Sequence, residues 1–98
     1  MRMRYKSLSD YGIPDQDQKS LLKRCAHLDN DEKKILEAAA LSAAPGLEKY
    51  IIRSITEPGM GYRSIGDIPI GEDDFYAYRR KTLAIFYDRL RLFGCWKD

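Results

Sequence analysis

The stretch that decides the fold is residues 71–93, GEDDFYAYRRKTLAIFYDRLRLF. Gly71 suits the N-cap position of a helix, and the three acidic residues after it suit the first turn, where the helix dipole favours negative charge. Gly94 follows as a natural helix stop. The pattern therefore predicts one long helix of roughly six turns at the C-terminal end of the chain.

This predicted helix has two different sides when its residues are placed at about 100° intervals. The apolar side comprises Phe75, Thr82, Phe86, Leu90 and Phe93, widened by Tyr78, Leu83, Ile85 and Leu92. The opposite, basic and aromatic side comprises Tyr76, Ala77, Arg80, Lys81, Ala84, Tyr87, Asp88 and Arg91. We expect the apolar side to anchor the helix on a small core and the other side to be open to a partner.

Length and composition are those of one folded domain. The chain has 98 residues, of which 44% are hydrophobic and 33% charged, so a core is expected and global disorder is not. The formal net charge is only +2, so any argument about partners rests on local charge. Basic residues crowd the two ends of the chain, and most acidic residues lie between them.

The cysteines and the N-terminal residues point to a cytoplasmic protein. Cys25 and Cys95 lie far apart and lack metal-ligand spacing, which favours reduced thiols. The basic start is not followed by the apolar run of a signal peptide, and no apolar stretch approaches the length of a membrane span. We expect neither a metal nor another cofactor.

The remainder of the chain predicts an all-α fold, a compact bundle of four to five helices with a long C-terminal helix. Residues 1–12 are predicted to be an irregular basic arm in which Arg2 and Arg4 either fray or reach a phosphate backbone, and residues 13–98 a single helical domain. Predicted helices cover residues 14–28, 31–44 and 47–57, with one or two further turns at 62–67. Asp29 and Glu32 have capping-box spacing, and Pro69 predicts a non-helical segment at 68–70.

Catalysis has little support in the sequence, so we expect a protein that is not an enzyme. His27 is the single histidine and falls at the end of a predicted helix. No serine or cysteine has a neighbouring base or a nucleophile elbow. The glycine-containing segment PGMGYRSIG at residues 58–66 lacks the lysine and the preceding strand of a phosphate-binding loop, and its simplest interpretation is a turn between helices.

Residues 62–93 fit a helix-turn-helix, with a first helix at 62–67, a turn at 68–70 and a second helix from Gly71. The segment resembles the helix-turn-helix of sigma factor C-terminal domains and related phage transcription regulators. The matching residues are Tyr62 and Ile65 in the first helix, Ile70 and Gly71 in the turn, and Phe75, Tyr78, Arg79, Arg80 and Leu83 in the second helix. The turn is one residue short and contains Pro69. More loosely, the whole chain is similar to short prophage and mobile-element proteins of Gram-positive bacteria.

Two functions follow as expectations. The first is a small phage-type regulator that binds double-stranded DNA, and the residues expected to contact the DNA or another partner are Tyr76, Ala77, Arg80, Lys81, Tyr87, Arg91, Arg2 and Arg4. The second is a protein-interaction module that binds a host or phage protein, for example a defence nuclease, through Tyr76, Tyr87 and the acidic residues 72–74. Those acidic residues repel phosphate and favour the second. A homodimer is compatible with either.

Overall fold

The computed structural model describes residues 6–96, which fold into helices and turns without a strand. The helices within that range are α1 (Asp15–Cys25), α2 (Asn30–Ala43), α3 (Glu48–Thr56), α4 (Tyr62–Ile65) and α5 (Glu72–Leu92). The Cα radius of gyration is 12.6 Å, close to the ~13 Å expected for a compact chain of this length. The all-α prediction with a long C-terminal helix is confirmed. Along residues 6–96, no helix combines the length and apolar character needed to cross a membrane.

The helix ends follow the local signals closely. Gly71 is the N-cap of α5 and Phe93 its C-cap, so the predicted helix is correct to within one residue. The predicted capping box at the start of α2 forms: Glu32 N–H donates to Asp29 Oδ1 at 2.8 Å, and Asp29 N–H donates to Glu32 Oε1 at 3.4 Å. The first helix ends at Cys25, three residues earlier than predicted, with Pro14 at its N-cap.

The core is built around α5, which packs most extensively against α2 and next against α3. Phe75, Leu83, Phe86 and Leu90 of α5 are fully buried, as the periodicity predicts. Three of the buried residues of α2 are small, namely Ala39, Ala40 and Ala43, and the others are Glu32 and Leu36. Small side chains let two helix backbones approach closely, so these alanines allow α5 to pack close to α2.

Residues 6–13 cover another side of α5. They form hydrogen-bonded turns, with Gly12 N–H donating to Ser9 O at 2.9 Å and Ile13 N–H donating to Leu8 O at 3.2 Å. Ile13 is 2% exposed, and Leu8 and Tyr11 pack against the core. The described part of the N-terminal segment is therefore folded onto the domain.

The helix preceding α5 is a single turn. Gly66 ends α4 with φ 71°, and Asp67 follows with φ 53°, a left-handed conformation that aspartate tolerates better than most residues. The chain from 66 to 71 is non-helical, as Pro69 predicts, and the Tyr62 hydroxyl donates to Ile70 O at 2.5 Å across it. The helix-turn-helix arrangement of α4 and α5 stays a prediction.

Candidate interaction surface on the C-terminal helix

Two of the residues expected to face a partner are buried inside the domain. Ala77 is 0% exposed and Tyr87 is 3% exposed. Ala84, on the same predicted open side, is also buried. The expectation that this side of α5 is open is therefore wrong for these residues. For Tyr87 the reason is a contact with α1, where the tyrosine hydroxyl donates to Asp17 Oδ2 at 2.6 Å.

Tyr76 and Arg80 are half-buried and bonded within the domain. Arg80 Nε donates to the backbone carbonyl of Lys6 at 2.8 Å, which ties α5 to the N-terminal segment. The Tyr76 hydroxyl accepts a hydrogen bond from the Tyr62 N–H at 3.2 Å, which ties α5 to α4. Both side chains thus support the fold, which corrects their placement on a free basic face.

Lys81 and Arg91 are the predicted contact residues that face solvent. Arg91 is exposed, with its guanidinium carbon 5.4 Å from the centroid of the Tyr87 ring, and Lys81 is half-buried like Tyr76 and Arg80. The acidic residues Asp73 and Asp74 are exposed at the start of the same helix. Arg2 and Arg4 lie outside the described residues.

One row of solvent-accessible side chains on α5, which we call the open strip, consists of the half-buried Tyr78, Lys81 and Ile85 and the exposed Asp88 and Leu92. Steps of three and four residues keep these side chains on one face of a helix. Its apolar members lie seven residues apart, and its charged members, one of each sign, are also seven apart. Tyr78 and Ile85 are half-buried against the core.

The C-terminal end of the open strip is exposed, whereas the sequence predicts that it belongs to the buried apolar face. Leu92 is 78% exposed and the neighbouring Phe93 is 61% exposed, although both were expected to pack on the core. The seven-residue spacing of Tyr78, Ile85 and Leu92 was visible in the sequence. It was missed because these residues were assigned to the buried face, which in fact lies to one side of them.

The titratable groups of the domain do not assemble a reactive centre within residues 6–96. Burial raises the pKa of the Cys25 thiol to about 12, so this thiol stays protonated and inert at neutral pH. His27 is exposed, and the described residues contain no cluster of three potential metal ligands. The described residues do form polar pockets, one beside Arg79 and another beside Asp17 and Arg91.

Comparison with protein-family models, with curated proteins and with solved structures gives no significant match for this chain. The resemblance of residues 62–93 to sigma factor and phage-regulator segments therefore stays a prediction, and function has to be argued from the geometry.

Proposed function

We propose that this protein is an interaction module that pairs with a second copy of itself through the open strip of α5. The observation that carries the proposal is the row Tyr78, Ile85 and Leu92 on the solvent side of the central helix, with Lys81 and Asp88 between its members. Helices that pack along their length have apolar positions that recur every seven residues, and this row supplies one such position per seven. Leu92, 78% exposed, leaves most of its side chain available for burial.

The charges of the open strip favour an antiparallel pair. Lys81 lies four residues before Ile85, and Asp88 lies three residues after it. Along the helix axis, Lys81 is therefore about 6 Å from Ile85 on one side, and Asp88 is about 4.5 Å from it on the other. When two strips cross antiparallel at Ile85, Lys81 of each copy comes beside Asp88 of the other. A parallel pair would instead place like charges together. Opposite charges across an interface fix its register and suppress the wrong one.

Neither charge of the open strip has an ion-pair partner among the described residues. Within residues 6–96, Lys81 and Asp88 form no ion pair, whereas Arg24, Arg53 and Arg63 are each paired with a glutamate. Pairing between copies would therefore break no salt bridge that the domain already has. The strip is small compared with a stable interface, which buries about 1,200–2,000 Å², so we expect a weak dimer that depends on protein concentration.

A leucine-to-glutamate substitution tests this proposal at the most exposed apolar residue. We expect Leu92→Glu to keep the protein monomeric at concentrations where the unaltered chain forms dimers, because a pair would have to bury the new carboxylate. Leu41→Glu is the matched control, since Leu41 is 55% exposed on α2, away from the strip. Sedimentation equilibrium measures the mass, and equal dimer fractions for both variants would contradict the proposal.

Binding of double-stranded DNA is a second candidate function. It is supported by Lys81, Arg89 and Arg91, three cations with solvent-accessible side chains on α5, and by the resemblance of residues 62–93 to helix-turn-helix segments. Burial of Ala77 and Tyr87 and the internal bond of Arg80 remove most of the groove-facing side that this function was expected to use. These cations fit contacts with phosphate better than contacts with base edges.

A further inference from the structure

A polar pocket lies between α3, α5 and the loop that joins α3 to α4. It has a volume of about 350 Å³ and is lined by Ser54, Tyr76, Arg79 and the loop residues Gly59, Met60 and Gly61. Binding sites for small molecules span roughly 300–1,000 Å³, so this pocket is of a size to hold a small ligand. The loop belongs to the glycine-containing segment that the sequence explains only as a turn.

Arg79 differs from Arg24, another half-buried arginine, in its partner. Its Nε donates to the Ser54 hydroxyl at 3.0 Å, which is its only hydrogen bond to residues 6–96. Arg24, by contrast, meets the Glu32 carboxylate at 2.6 Å. Burial lowers the pKa of the Arg79 guanidinium, and no carboxylate offsets that effect. A half-buried guanidinium with no carboxylate beside it would be stabilised by a bound anion.

Three side chains present hydrogen-bond donors to this pocket. The guanidinium of Arg79 keeps its outer N–H groups after the bond to Ser54. The hydroxyl of Ser54 accepts from Arg79, and that of Tyr76 accepts from Tyr62 N–H, so each retains a proton to donate. The described lining contains no acidic residue. Donors without a competing carboxylate form a site for an oxyanion.

Gly61 determines how closely the loop approaches Tyr76 at one side of the pocket. A Cβ built at this position would lie 2.9 Å from the Tyr76 hydroxyl oxygen, closer than real Cβ contacts. Glycine therefore lets the loop backbone lie directly against that hydroxyl. Any larger residue would displace the loop or the tyrosine and change the pocket.

We propose that the pocket formed by Arg79, Ser54 and Tyr76 binds a phosphate group, either free inorganic phosphate or the phosphate of a small monoester. An arginine fork and two hydroxyls match the several acceptor oxygens of a tetrahedral phosphate. The pocket lies on a different face of α5 from the open strip, since Arg79 and Ile85 are separated by about 240° of helix rotation. The site is thus independent of self-association.

The test is a titration of the full chain with inorganic phosphate at constant ionic strength, followed by amide shifts in ¹H–¹⁵N spectra. We expect saturable shifts confined to the loop amides of Gly59, Met60 and Gly61. A second titration with methyl phosphate distinguishes the two candidate ligands. If methyl phosphate binds more tightly than inorganic phosphate, the site is one for a monoester. Arg79→Met is expected to weaken binding at least about tenfold, the usual scale for losing a charge-assisted pair.

Lys33→Met is the control, since it removes an exposed cation from α2 that does not line this pocket and should leave phosphate binding unchanged. Ser54→Ala keeps the guanidinium and should weaken binding several-fold, which provides a test if Arg79→Met fails to fold, as its own spectrum would show. Shifts that stay linear with concentration, or equal weakening by Arg79→Met and Lys33→Met, would overturn the proposal.

Discussion

At the residue scale, the decisive fact about α5 is that its small residues face the inside of the domain. Ala77 and Ala84 were expected to lie on the side of α5 that a partner approaches. They do allow a close approach, but the partner is the rest of this chain, because both are buried. Composition alone does not distinguish an alanine against a groove from an alanine against the domain's own backbone.

Enlarging one of these alanines tests its burial. Ala77→Leu adds three carbons at a site that is 0% exposed, so we expect it to lower the free energy of unfolding by about 1–3 kcal/mol. Ala38→Leu makes the same change at an exposed alanine of α2 and should stay within about 0.5 kcal/mol of the unaltered chain. Urea unfolding measures both, and an Ala77→Leu variant as stable as the control would show that this side of α5 is open.

At the element scale, most of the helices were predictable because their signals are local. The capping box of Asp29 and Glu32, the Pro-Gly pairs at 45–46 and 58–59, and the glycines that flank α5 each act within a few residues. The side of α5 that faces solvent was not predictable in the same way. Its buried residues spread over more than one side, so a single-stripe interpretation of the periodicity failed.

Binding of nucleic acid by α5 depends on which of the helix's side chains are exposed to solvent. With Ala77 and Tyr87 buried and acid at the helix start, we expect weak binding to random-sequence duplex DNA at about 50 mM salt, lost at about 200 mM. Fluorescence anisotropy of labelled duplex DNA measures this binding. Tight binding that Lys81→Ala with Arg91→Ala abolishes would make DNA binding the primary function instead.

At the scale of the whole molecule, long-range contacts determine the surface. The bond from Arg80 to Lys6 joins residues 74 apart in sequence, and the bond from Tyr87 to Asp17 joins residues 70 apart. Periodicity describes one helix at a time and carries no information about which distant segment covers it. The pocket at Arg79 was missed for the same reason, because Ser54 lies 25 residues away on α3.

The central claim is that the open strip pairs two copies in antiparallel orientation, and an exchange of its charges tests it most directly. Sedimentation equilibrium of the 11.4 kDa chain should show a mass that rises with concentration. Lys81→Glu and Asp88→Lys should each reduce the dimer fraction, since the two-fold symmetry of the pair makes every like-charge contact occur twice. The double variant should restore dimerisation, because it re-creates both opposite-charge contacts. A mass of 11.4 kDa at every concentration, or a double variant no better than the single ones, would contradict the account.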